Sequence, residues 1–125
     1  MNPIVHIALV EDEPLIQELL ISELEEAGYS IELAAEGKSA IAMLARRPQE
    51  FRALVTDIKL PGDIRGWDIA QRARELNPAI AVIYMSGDST DDWAAYGVPK
   101  SVMITKPFAR QQVGVAVAQL LNVTG

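Results

Sequence analysis

Cysteine is absent from this sequence of 125 residues, which excludes disulfides and thiolate metal sites. No apolar run approaches the roughly 20 residues that a membrane-spanning helix needs. The N-terminal Met1-Asn2-Pro3-Ile4 lacks the basic segment and apolar stretch of a secretory signal, so a cytoplasmic protein is expected. Basic residues are the minority, 11 against 17 acidic, for a net charge of −6. A chain of this sign is repelled by phosphate backbones, and its densest basic cluster, Arg72 with Arg74, reads as a solvated helix face. Direct binding to nucleic acid is therefore not expected, nor is binding to a membrane. Repeats, low-complexity tracts and linker-like stretches are missing too, which leaves one domain over residues 1–125.

What is present is alternation. The hydrophobic fraction of 50% and the charged fraction of 22% suit a globular domain with one well-packed core. Ile4 to Val10 is an apolar run that reads as a buried strand. Pro14 opens a helix in which Leu15, Leu19, Leu20 and Leu24 recur at helical spacing, and Gly28 stops it. Residues 29–34 alternate as an edge strand would. Residues 38–47 form a second helix, with Ile41, Leu44 and Ala45 expected inward. A strand at 53–56 ends at Asp57, and a helix over 66–76 ends at Asn77-Pro78. A strand at 80–85, a short helix at 91–96, a strand at 101–105 and a final helix from about Pro107 complete the chain. Five strand–helix units in succession predict a parallel sheet covered on both faces, a three-layer α/β domain.

In such a sheet the strands share one C-terminal edge, where ligands bind. The residues just after the strands are Glu11, Asp12, Asp57, Ser86 and Lys106. Each has a plainer reading when taken alone. Asp12 is a helix cap, Asp57 a turn former ahead of Pro61, Ser86-Gly87 a turn dipeptide and Lys106-Pro107 a helix start. Together they make three carboxylates that repel one another unless something compensates. A hard divalent cation does so; magnesium takes one or two carboxylates and keeps waters and phosphate oxygens. Lys106 adds fixed positive charge and Ser86 a hydroxyl. That set suits an aspartate that attacks phosphorus.

The segments Val10-Glu11-Asp12-Glu13-Pro14, Thr56-Asp57-Ile58-Lys59-Leu60-Pro61-Gly62, Met85-Ser86-Gly87 and Thr105-Lys106-Pro107-Phe108 resemble the response-regulator receiver family of two-component signalling. The resemblance covers the whole chain, with its four motifs in family order. It implies a doubly wound, flavodoxin-like sheet of order 2-1-3-4-5 with helices on both faces. Asp57 would be the phosphoacceptor, with Lys106 and Ser86 contacting the phosphoryl group. Magnesium would be held by Asp12, Asp57, the Lys59 carbonyl and, through water, Glu11. Gly87 would leave room for the phosphate, and the Lys106-Pro107 bond would be cis. The donor would be a histidine kinase or a histidine phosphotransfer protein. Phosphorylation would change a protein-binding surface near the fourth and fifth strand–helix units, the output partner being unspecified.

Several positions depart from the family pattern. The loop between Pro61 and Gly66 carries one extra residue beside the site, so altered access is expected. The stretch from Ser86 to Lys106 is short, so the fourth helix should be short or displaced. Met103 stands where the family commonly has an aromatic that turns inward, and a flexible thioether reports the switch less sharply. Lys59 and Asp88, two positions beyond Asp57 and Ser86, are expected to pair across the site mouth and slow hydrolysis. His6, the only histidine, lies in the first strand and reads as structural, which argues against a phosphodonor protein. Trp93 and Tyr96 read as packing against the sheet, with a partner-binding patch as the alternative.

Two further functions compete with a stand-alone receiver. One is a magnesium-dependent aspartyl-phosphate phosphatase, which Lys59 disfavours because such an enzyme needs a second acid near the nucleophile. The other is a phosphorylation-independent pseudo-receiver, supported only by Met103.

Overall fold

The computed structural model describes residues 4–88 and 91–124. The elements are β1 (His6–Val10), α1 (Pro14–Glu26), β2 (Ser30–Ala34), α2 (Gly37–Arg46), β3 (Phe51–Asp57), α3 (Gly66–Leu76), β4 (Ala81–Ser86), α4 (Asp91–Tyr96), β5 (Ser101–Thr105) and α5 (Arg110–Thr124). All five strands are parallel, in the order β2-β1-β3-β4-β5. The flavodoxin-like order expected from the sequence is the one observed, with residues 30–34 at an edge.

Period-two alternation sorts the strand side chains into two cores. Ala8, Val10, Leu54, Val82 and Tyr84 face α2 and α3 with Met43, Leu44, Ile69 and Ala73. Ile7, Leu9, Ala53, Val55, Ile83 and Met85 face α1 and α5 with Leu20, Leu24, Val113 and Val117. β4 is buried from end to end, as a central parallel strand should be.

Several element boundaries and inward faces differ from the sequence reading. In α1 only Leu20 and Leu24 are buried, while Leu15 is 74% and Leu19 40% exposed. The buried stripe descends through Ile16, Leu20 and Leu24 at i, i+4, and Leu15 and Leu19 lie on the adjacent face. In α2, Met43 is buried where Ala45 was expected, and Ala45 is exposed. α5 begins at Arg110, three residues beyond Pro107, and β3 begins at Phe51 rather than residue 53. His6 is the first residue of β1 and is half-buried, in keeping with a structural role.

Gly28 ends α1 as its sequence position suggests. Its N–H bonds the Glu25 carbonyl at 2.9 Å, and its φ of +96° turns the chain so that the Tyr29 N–H reaches the Leu24 carbonyl at 3.1 Å. This pair of bonds satisfies carbonyls that the helix end would otherwise leave open. The extra residue of the β3–α3 loop does not leave the loop free, because Ile64 packs onto the core over Gly37. α4 is six residues long, the short helix expected from the reduced spacing between Ser86 and Lys106.

Candidate phosphorylation site

Asp57 is the last residue of β3, 8% exposed, and both of its carboxylate oxygens are engaged. The Ile58 N–H donates to Oδ1 at 2.7 Å, and Lys106 Nζ donates to Oδ2 at 2.7 Å. Lys106 Nζ also donates to Glu11 Oε1 at 3.1 Å. Lys106 lies just beyond β5, and its backbone N–H bonds the Ser86 carbonyl at 2.7 Å, fixing the ends of β4 and β5 side by side. The Lys106-Pro107 peptide is cis, as expected.

Glu11 is fully buried beyond β1. Its Oε2 accepts the Glu13 N–H at 3.0 Å, and the Gln17 side chain donates to its carbonyl at 2.7 Å. Burial holds the Glu11 carboxyl above the usual range; the Glu13 N–H and Lys106 oppose this, and the charge of Asp57 adds to it. Burial alone would lower the Lys106 ammonium, but its bonds to Asp57 and Glu11 outweigh that and raise it above 10.5. Asp12 is exposed at the mouth.

Glu11, Asp12 and Asp57 present carboxylate oxygens that all lie within 4.8 Å of one another. One lysine opposes these three acids, and one of them is fully buried. An all-oxygen cluster with excess negative charge fits a hard divalent cation. The residues present therefore suit magnesium.

The Ser86 side chain is nearly buried, and its Oγ accepts the Asp88 N–H at 3.1 Å. Gly87 is open, for a Cβ there would meet only Lys106 Cβ at 3.9 Å. Lys59 and Asp88 form the expected ion pair, both side chains largely exposed. Met103 is half-buried and opposes Tyr84 across the β4–β5 pairing. Trp93 and Tyr96 do not pack into the sheet as expected. The Trp93 indole donates to Ser101 Oγ at 2.9 Å at the start of β5, and the Tyr96 ring meets Trp67.

Three contributors escaped the sequence reading. Thr56 Oγ donates to the Asp57 carbonyl at 2.8 Å, a signal readable in the Thr-Asp dipeptide. Gln17 carried no such signal, because its bond to Glu11 crosses a helix turn. Gly66 did not stand out either, although a Cβ there would lie 2.3 Å from the Asp57 carbonyl oxygen.

Comparison with known proteins agrees with this geometry. Residues 7–118 match the family model described as the response regulator receiver domain. A response regulator receiver protein from Sinorhizobium medicae WSM419 is 36% identical, superposes with a TM-score of 0.93, and 98% of each chain is covered. The probable transcriptional regulatory protein TcrX of Mycobacterium tuberculosis is 33% identical over 97% of this chain and 51% of its own length. The chain thus spans about half the length of that curated relative. The receiver domain of a sensor histidine kinase from Pseudomonas aeruginosa PAO1, described with magnesium coordinated in its active-site cleft, shares the fold at 22% identity and a TM-score of 0.80, over 96% of this chain and 99% of that one. With the sheet order, the acidic cluster and the family match in agreement, this chain belongs to the response-regulator receiver family.

Proposed function

We propose that the chain receives a phosphoryl group on Asp57 from a phosphohistidine of a partner histidine kinase or phosphotransfer protein, with magnesium bound beside it. The observation that carries this reading is Lys106 Nζ, 2.7 Å from Asp57 Oδ2 and 3.1 Å from Glu11 Oε1. A lysine held between an acceptor carboxylate and a buried acid is placed to neutralise an incoming phosphoryl group.

Asp12, Asp57, the Lys59 carbonyl and, through water, Glu11 would hold the metal. When bound, magnesium supplies positive charge to the phosphoryl oxygens. The Ile58 N–H fixes the Asp57 carboxylate in one orientation for attack. The new phosphorus–oxygen bond forms as the phosphorus–nitrogen bond of the donor breaks, its electron pair leaving with the imidazole. Lys106 then pairs with the phosphoryl oxygens, the Ser86 hydroxyl donates to them, and Gly87 leaves the mouth open. The chain is an acceptor that assists its own phosphorylation and dephosphorylation, rather than an enzyme with a separate substrate. Among the described residues no helix is long and apolar enough to cross a membrane. A kinase donor drawing on ATP fits a cytoplasmic setting.

Incubation with acetyl phosphate and magnesium, read by intact mass, tests this. Wild type should gain one phosphoryl adduct, absent from Asp57→Asn and from metal-free samples. An equal adduct on Asp57→Asn, or wild type that binds neither phosphoryl nor beryllium fluoride with magnesium, would contradict it.

A further inference from the structure

The residue whose N–H holds the reacting carboxylate, Ile58, also carries the first turn of α3 through its carbonyl. The Gly66 N–H donates to the Ile58 carbonyl at 2.9 Å, while the Ile58 N–H holds Asp57 Oδ1. No side chain fits at Gly66, where a Cβ would lie 2.9 Å from Ile58 Cα as well as against the Asp57 carbonyl. A shift of the Asp57–Ile58 backbone is therefore passed directly to the start of α3.

The next residue is Trp67. Its ring centroid lies 4.6 Å from that of Tyr84, tilted by 59°, and 6.2 Å from that of Tyr96, tilted by 40°. Tyr84 is fully buried in β4, two residues before Ser86 and so on the same face of the sheet. Its hydroxyl accepts the Val98 N–H at 3.1 Å, just beyond the end of α4. One indole thus touches both the strand that ends at Ser86 and helix α4. At six residues α4 is too short to hold itself and depends on such contacts. Tyr96 is 55% exposed, so little else buries that ring. Met103, opposite Tyr84, is an unbranched thioether that yields when a neighbouring ring moves.

We propose that Trp67, through Tyr84 and Tyr96, couples the phosphorylation state of Asp57 to the packing of α4. The coupling rests on the phosphoacceptor reading above. It places the readout of this chain on the α3–β4–α4 aromatic contact rather than on β5.

Amide hydrogen exchange over residues 91–98, with phosphoryl occupancy read by intact mass in the same samples, tests the coupling. In wild type, acetyl phosphate with magnesium should change the exchange of this segment. In Trp67→Leu the adduct should form as before while that change is lost. Tyr96→Ala removes the other, exposed end of the contact and should give the same loss, which keeps the test available if Trp67→Leu does not fold. A change that persists in either folded variant, or phosphorylated wild type with no change over 91–98, would overturn the coupling. Wild type that takes neither a phosphoryl group nor beryllium fluoride with magnesium would overturn the acceptor reading, and the coupling with it.

Discussion

Glu11 is a fully buried carboxyl, and its protonation sets part of the charge of the acidic cluster it forms with Asp12 and Asp57. The native state keeps its proton to a higher pH than the unfolded chain does, because burial raises the carboxyl above 4.5. Its contribution to stability is therefore full below pH 4.5 and is lost as pH rises through the raised native value. Glu11→Gln has no such ionisation cost. In metal-free buffer the thermal midpoint of wild type should fall relative to Glu11→Gln as pH rises above 4.5. A difference that stays flat with pH would contradict this. Lys59 and Asp88 present the opposite case. An ion pair this exposed contributes no more than about 1 kcal/mol to stability. If the pair matters, it matters by covering the approach of water to a phosphorylated Asp57. Lys59→Ala should shorten the phosphoryl lifetime several-fold and lower the thermal midpoint by no more than a few degrees; an unchanged lifetime would remove Lys59 from the account.

Elements place these residues, and the contact of greatest consequence is that between α3 and the end of β3. Gly66→Ala would press a methyl group against backbone, which has no rotamer to yield. Overpacking of this kind costs about 1–3 kcal/mol. Chemical denaturation of Gly66→Ala should show a loss of that size together with a weaker yield of adduct on Asp57. Stability equal to wild type would mean that α3 moves away from β3 without cost. At this scale the sequence was legible where a pattern repeats. Four apolar strands and one alternating strand, with Pro14, Gly28 and Asn77-Pro78, marked the layers and most element ends. Leu15, Leu19 and Ala45 misled because an apolar side chain on a helix does not say which of two adjacent faces meets the sheet. Pro107 suits a helix start as well as the bend it occupies, so it does not mark the true start of α5 at Arg110.

At the scale of the whole molecule, parallel topology gathers the ends of β1, β3, β4 and β5 at one edge. That is why Glu11, Asp12, Asp57, Ser86 and Lys106 were legible as a group from strand ends alone. Gln17 and Trp67 were not, because their roles come from distances between elements, and no periodicity encodes those. The central claim is that this edge delivers a phosphoryl group to Asp57 in particular, with Asp12 and Glu11 as its neighbours and not its rivals. Borohydride reduction of the phosphorylated protein converts an acyl phosphate to an alcohol, and peptide mass mapping then locates the modified residue. The account expects homoserine at position 57 alone, formed only in samples that contained magnesium. Homoserine at position 12, or modification spread over several acids, would contradict it.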